Sequence, residues 1–200
     1  LQKDETNATV LLWMIRSLLL QGRADVSIPQ NAVAFNDETQ FVLAALAFVQ
    51  KDEKRFFELT RSIKDSALQD QSALLKAEMH IHVGDEQSAR KELMSINKRF
   101  DNIHLRFYQG VIWSKLGDLR TTATIMDEFE ASLPHKWFLN LLMAIASENI
   151  PLMEQSIERL AFSDVELLTV RDWETIWIPQ MDRAAVLKDG KRLLQSTANS

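Results

Sequence analysis

Ala77-Glu78-Met79-His80-Ile81-His82-Val83-Gly84-Asp85 and Gly110-Val111-Ile112-Trp113-Ser114-Lys115-Leu116-Gly117-Asp118 are the two stretches whose reading decides the fold. Each opens on a small residue, carries a bulky one three positions on and closes on Gly-Asp. A small residue follows five after each glycine, Ala89 and Thr122, and a larger one nine after, Leu93 and Met126. The offset between the glycines is 117 − 84 = 33. Self-similarity at a period of roughly 20–50 residues marks a repeat architecture, in which one unit cannot bury its apolar face alone and stacks on its neighbour.

Working outward from these glycines, the pattern predicts helix pairs at 70–83 with 85–99 and at 103–116 with 118–132, parted by Asp101-Asn102 and closed by Pro134. An earlier pair is expected at 37–50 and 52–65, turning at Lys51-Asp52, with Asn36 or Asp37 as N-cap. A later pair is expected at 136–147 and 151–162, with Pro151 at a first helical position. A further helix is expected over Val165–Val170, capped at Ser163-Asp164, and a last one from Leu187 to Leu194. Thr6–Gln21 reads as a buried helix closed by Gly22, and 23–35 as a loop. Short turns between helices of this length make antiparallel neighbours. No segment alternates cleanly with period two, so no sheet is expected.

At this point the chain resembles the tetratricopeptide repeat, a helix–turn–helix unit of about 34 residues. The small residue where the two helices cross is Ala44, Ala77 and Gly110, and the turn position is Lys51, Gly84 and Gly117. The second-helix contacts are Phe56, Thr60 and Ile63, then Ala89, Leu93 and Ile96, then Thr122, Met126 and Phe129. Gln40, Ala73 and Arg106 stand where that family usually has Trp, and Leu43, Lys76 and Gln109 where it has Leu, so the repeats are degenerate. The resemblance implies an all-α fold of antiparallel helical hairpins, stacked as a TPR-like right-handed solenoid with capping helices. It implies one domain over 1–200: a capping helix and loop over 1–35, about four repeats over 36–162 and a C-terminal cap over 163–200.

Such solenoids mostly hold things, and their first helices line the concave binding face. That mapping gives Glu38, Phe41, Ala45 and Phe48 from the first repeat, Glu78, Ile81 and His82 from the second, and His104, Phe107, Val111, Ser114 and Lys115 from the third. The strip is apolar with a few polar handles and would suit an extended peptide or an amphipathic helix of a protein partner, or a second copy in a homodimer. The competing reading is that Phe41, Phe48 and Phe107 are packing residues of the core. The tail, with Trp173, Trp177, Pro179, Leu187, Asp189 and Leu193-Leu194, faintly resembles repeat domains fused to bacterial winged-helix transcriptional regulators or to nucleotide cyclases. That resemblance implies a signal-sensing or effector domain in transcription regulation. The alternative is a stand-alone adaptor, scaffold or secretion chaperone, and an all-α enzyme is the remotest reading. The compartment, bacterial cytoplasm or periplasm, is left open. A start at Leu1 rather than Met leads us to expect a longer precursor.

Composition excludes several chemistries. There is no Cys, which removes disulfides, thiolate metal sites and Cys nucleophiles together. A net charge of −5 argues against nucleic-acid binding by this segment. The apolar run Ala8–Leu20 carries Arg16 and is too short to span a bilayer. No phosphate-binding loop, zinc motif or nucleophile elbow occurs, so no cofactor, metal or catalytic residue is expected. His80 and His82 point to different faces of a helix, and His104 and His135 read as isolated. The acidic run Asp127-Glu128-Phe129-Glu130 reads as a solvated face with Phe129 turned inward, and Trp13 and Trp113 as core.

Overall fold

The computed structural model describes residues 13–15, 17, 19, 36–96, 100–161 and 183–198, and among these every regular element is a helix. The helices from Asn36 onward are α1 (Asp37–Val49), α2 (Glu53–Arg61), α3 (Ser66–His82), α4 (Glu86–Met94), α5 (Ile103–Lys115), α6 (Leu119–Met126), α7 (Pro134–Ala146), α8 (Ile150–Ala161) and α9 (Arg183–Ala198). They pack as sequential hairpins: α1 on α2, α3 on α4, α5 on α6 and α7 on α8. They fall into two compact units, α1–α4 and α5–α9. In the first, α3 rests on both α1 and α2. In the second, α7 rests on α5 and α6, and α9 on α7 and α8.

One local device makes all four hairpins. Lys51, Gly84, Gly117 and Glu148 adopt the left-handed backbone, with φ of 58°, 81°, 72° and 52°. The next N–H then reaches back across the turn, from Asp52 to the Ala47 carbonyl at 2.9 Å, Asp85 to His80 at 2.8 Å, Asp118 to Trp113 at 3.1 Å and Asn149 to Ala144 at 2.9 Å. This satisfies carbonyls that the helix end would leave orphaned. The same Asp or Asn side chain then accepts from a backbone N–H of the following helix: Arg55 at 3.1 Å, Ser88 at 3.0 Å, Thr121 at 3.0 Å and Leu152 at 3.2 Å. Two adjacent residues therefore stop one helix and start the next, which forces the pair antiparallel.

Five residues past each left-handed position lie Phe56, Ala89, Thr122 and Met153, all fully buried. Seven before it lie Ala44, Ala77, Gly110 and Leu141, buried against the partner helix. At Gly110 the approach is closest. An added Cβ would sit 3.1 Å from Ile125 Cγ2 and 3.1 Å from Leu139 Cδ1, so α5, α6 and α7 meet there on a residue without a side chain. Gly190 of α9 plays a similar part against the fourth hairpin, where a Cβ would meet Ile157 at 3.1 Å and Leu141 at 3.2 Å.

Several expected boundaries move, for local reasons. Helix α3 begins at Ser66 rather than 70, because the Asp65 carboxylate accepts from the Leu68 N–H at 2.9 Å and caps it earlier. Pro134 opens α7 instead of ending the third pair, since its fixed φ suits a first helical position. Helix α6 stops at Met126, well short of 132, and the chain tightens through turns in which Glu128 donates to Ile125 and Phe129 to Met126. That tightening carries Phe129 inward, where it is buried. Trp113 is core as expected, but Trp13 is 51% exposed. The expected helix over Val165–Val170, together with Trp173, Trp177 and Pro179, lies outside the described residues.

Candidate functional site

In the first unit the residues assigned to a binding face divide by burial. Phe41 and Ala45 are buried within the hairpin packing of α1. Phe48, at the end of α1, is half-buried and meets Phe56 of α2 edge-on at 5.8 Å, and Phe56 in turn meets Phe57 at 5.2 Å. Glu38, Glu78 and Ile81 are half-buried, and His82 is exposed at the last residue of α3. His80 turns the other way. Its ring lies 5.0 Å from that of Phe57, and its Nδ1 is 3.9 Å from the Asp85 carboxylate. Hydrogen bonds from Ser88, through its side chain and then its backbone, hold the Asp85 carboxyl below the usual range, with the nearby His80 a smaller cause. Asp85 therefore remains a charged helix cap at neutral pH, and its role is structural.

In the second unit Phe107 and Val111 are buried, with Phe107 wholly so. Phe107 is held by three rings: Phe129 at 6.5 Å, His135 at 4.9 Å and Phe138 at 5.6 Å. Side chains enclosed in this way belong to the core of the unit. Ser114 and His104 are half-buried, and Lys115 is exposed. The ten candidate residues thus resolve into an inner set, Phe41 of α1 with Phe107 and Val111 of α5, and an outer set on α1, α3 and α5, of which His82 and Lys115 are the most exposed. The two sets alternate because a first helix buries one stripe and leaves the next one wet.

The structure also brings together two side chains that the sequence reading kept apart. His104 and His135 are not isolated: their rings meet at 5.4 Å, and His135 stacks on Phe129 at 5.8 Å with planes 11° apart. Each lies thirteen residues before its left-handed turn residue, 117 − 104 and 148 − 135, so they hold equivalent positions in consecutive hairpins. That equivalence was available in the sequence once Glu148 was aligned with Gly117. Burial, with a smaller contribution from His104, pushes His135 down to about 4, and burial lowers His104 as well. Both are neutral imidazoles at pH 7. Near them Arg106 forks onto Glu128 at 2.8 and 2.5 Å and onto Gln109 at 2.6 Å, tying α5 to the chain just past α6. The acidic run is therefore only partly a solvated face, because Glu128 is engaged. Among the described residues no group of three or more His, Asp or Glu is arranged to hold a metal ion, and no helix is long and apolar enough to cross a membrane. No family model, curated protein or solved structure matches the chain.

Proposed function

We propose that this chain is a non-enzymatic protein-binding module, built of tetratricopeptide-like hairpins, whose first helices hold a peptide or helix of a partner. The observation that carries the reading is the single turn device repeated at 51, 84, 117 and 148. Within each unit, repetition of one hairpin gives neighbouring first helices with equivalent outward positions, the kind of surface such proteins use for binding. In the first unit those positions fall on Phe48 and Ile81, three residues before the turn, and on His82, two before it, with Glu78 a turn earlier on α3. In the second they fall on Ser114 and Lys115, with His104 at the start of the same helix. The offered chemistry is hydrogen bonding, the exposed charge of Lys115 and modest apolar contact, which suits a polar or amphipathic peptide. Phe41, Phe107 and Val111 support these positions from within and are not themselves contacts.

The test is a photo-crosslinking amino acid placed at His82, Ser114 or Lys115 in the source cells, with Glu58 and Glu154 as exposed controls. A discrete adduct from the first set and none from the controls is expected. Adducts from the controls alone would overturn the assignment. An antibody to the fragment, used on the same lysate, separates two forms of the proposal. A band well above 23.0 kDa favours an effector domain joined to a regulator, and one near 23.0 kDa a stand-alone adaptor.

A further inference from the structure

His104 and His135 each stand at the second residue of a helix, α5 and α7, where the helix N-terminus already disfavours positive charge. His135 is 5% exposed. Its ring is stacked on Phe129, met edge-on by Phe107 at 4.9 Å and by His104 at 5.4 Å. Neither of its ring nitrogens, nor Nδ1 of His104, has a hydrogen-bond partner among the described residues. A neutral imidazole fits this aromatic box as a flat apolar ring. An imidazolium brings a charge and two N–H donors with nothing to receive them, and burying such a group unpaired is costly.

The charged groups on the surrounding elements give no relief. Arg106 and Glu128 bond to each other. Lys136 reaches the Phe129 carbonyl at 3.4 Å and Asp127 at 4.0 Å. Arg159 of α8 lies over the Trp137 ring. Asp101, Lys115, Arg120, Glu130, Glu148, Glu154 and Glu158 are exposed. Among the described residues the charge that lowers the proton affinity of His135 is that of His104, which has the same sign once protonated.

We propose that the His104–His135 pair is an acid-operated latch: the two neutral rings close the packing between the first turns of α5 and α7 and the turn around Phe129 that follows α6, and protonation opens it. Opening would release Phe107 and Phe129 from their packing around His135 and unseat the start of α7. The inference concerns the second unit alone and stands whether or not a partner binds. The sign follows from the lowered proton affinity of the folded state. The unfolded chain takes up its proton first, near the ordinary histidine value of about 6.5. The latch is therefore fully closed above that pH and weakens as the pH falls toward about 4.

The experiment compares urea unfolding of the full chain at pH 7.5 and 4.5 for the wild type, His135→Phe and the exposed control His82→Gln. The wild type and the control should lose roughly 70-fold more of their folded-to-unfolded ratio than His135→Phe, which keeps the aromatic packing and cannot titrate. Equal losses in all three proteins would overturn the proposal, since carboxylate protonation would then explain the whole acid effect. Should His135→Phe not fold, proton NMR of the wild-type ring protons decides. Titration of His135 well below 6.5, with a matching shift of the Phe129 ring signals, supports the latch. Titration at the ordinary histidine value sinks it.

Discussion

Lys51 and Glu148 hold the left-handed backbone that Gly84 and Gly117 adopt without a Cβ. For an L residue that conformation costs about 1–2 kcal/mol. Replacement by glycine relieves the strain, but glycine gains about 0.5–1 kcal/mol of freedom in the unfolded chain. The strain is the larger of the two, so Lys51→Gly and Glu148→Gly should each stabilise the protein by about 0.5–1 kcal/mol. Gly84→Ala, with open space around its Cβ, should destabilise by about 1 kcal/mol through backbone strain alone. Urea midpoints of the three variants check both signs, and a stabilising Gly84→Ala would refute the argument. At this scale the sequence was half legible. Gly84-Asp85 and Gly117-Asp118 announce the turn, whereas Lys51-Asp52 and Glu148-Asn149 make the same turn with residues whose side chains give no hint of φ. Only register, 84 − 33 = 51, points to Lys51.

Gly110 is where element packing is most exacting, because α5, α6 and α7 converge on it. Alanine would gain about 1 kcal/mol of helix propensity. Its Cβ would press Ile125 Cγ2 and the Leu139 methyls at 3.1–3.2 Å, and these are ends of flexible side chains that can yield by tenths of an ångström. The two effects are comparable, so Gly110→Ala should change stability by less than about 1 kcal/mol. Gly110→Leu cannot be accommodated by such small shifts and should cost at least about 3 kcal/mol, moving helices rather than side chains. Circular dichroism melts of the pair test this, and near-equal melting points would mean that the convergence is looser than it looks. The register of Ala44, Ala77 and Gly110 was readable as a crossing point because only small residues let helix axes approach. The early end of α6 was not readable. Thr121, Thr122 and Thr124 weaken the helix, yet it is the tightened turn to Phe129 and the ring packing of Phe129 against Phe107 and His135 that settle where the chain leaves it. Those are contacts between elements, which periodicity along one segment does not encode.

At the scale of the whole molecule, sequence periodicity specified an all-α chain of sequential hairpins because the turn chemistry is local and recurs. It could not rank the candidate binding residues, because burial of Phe41, Phe107 and Val111 depends on which neighbouring helix covers them. Charge, by contrast, is legible without a structure. The chain has 23 Lys and Arg against 28 Asp and Glu. Over 51–65, Lys51, Lys54, Arg55, Arg61 and Lys64 are interleaved with Asp52, Glu53, Glu58 and Asp65, and the more basic runs 90–99 and 183–192 hold only four bases each, broken by Glu92 and by Asp189. Nucleic-acid affinity comes chiefly from neutralising phosphates and releasing their counterions, which interleaved carboxylates oppose. This segment should therefore give no mobility shift with a 30-base-pair duplex at micromolar protein in about 50 mM salt, conditions in which a basic DNA-binding domain binds even non-specific sequence. A shift that weakened steeply with salt would reveal a basic face that the linear charge pattern hides. The partner would then have to be sought among nucleic acids rather than peptides. A negative result at low salt is the more telling one, because electrostatic attraction is least screened there.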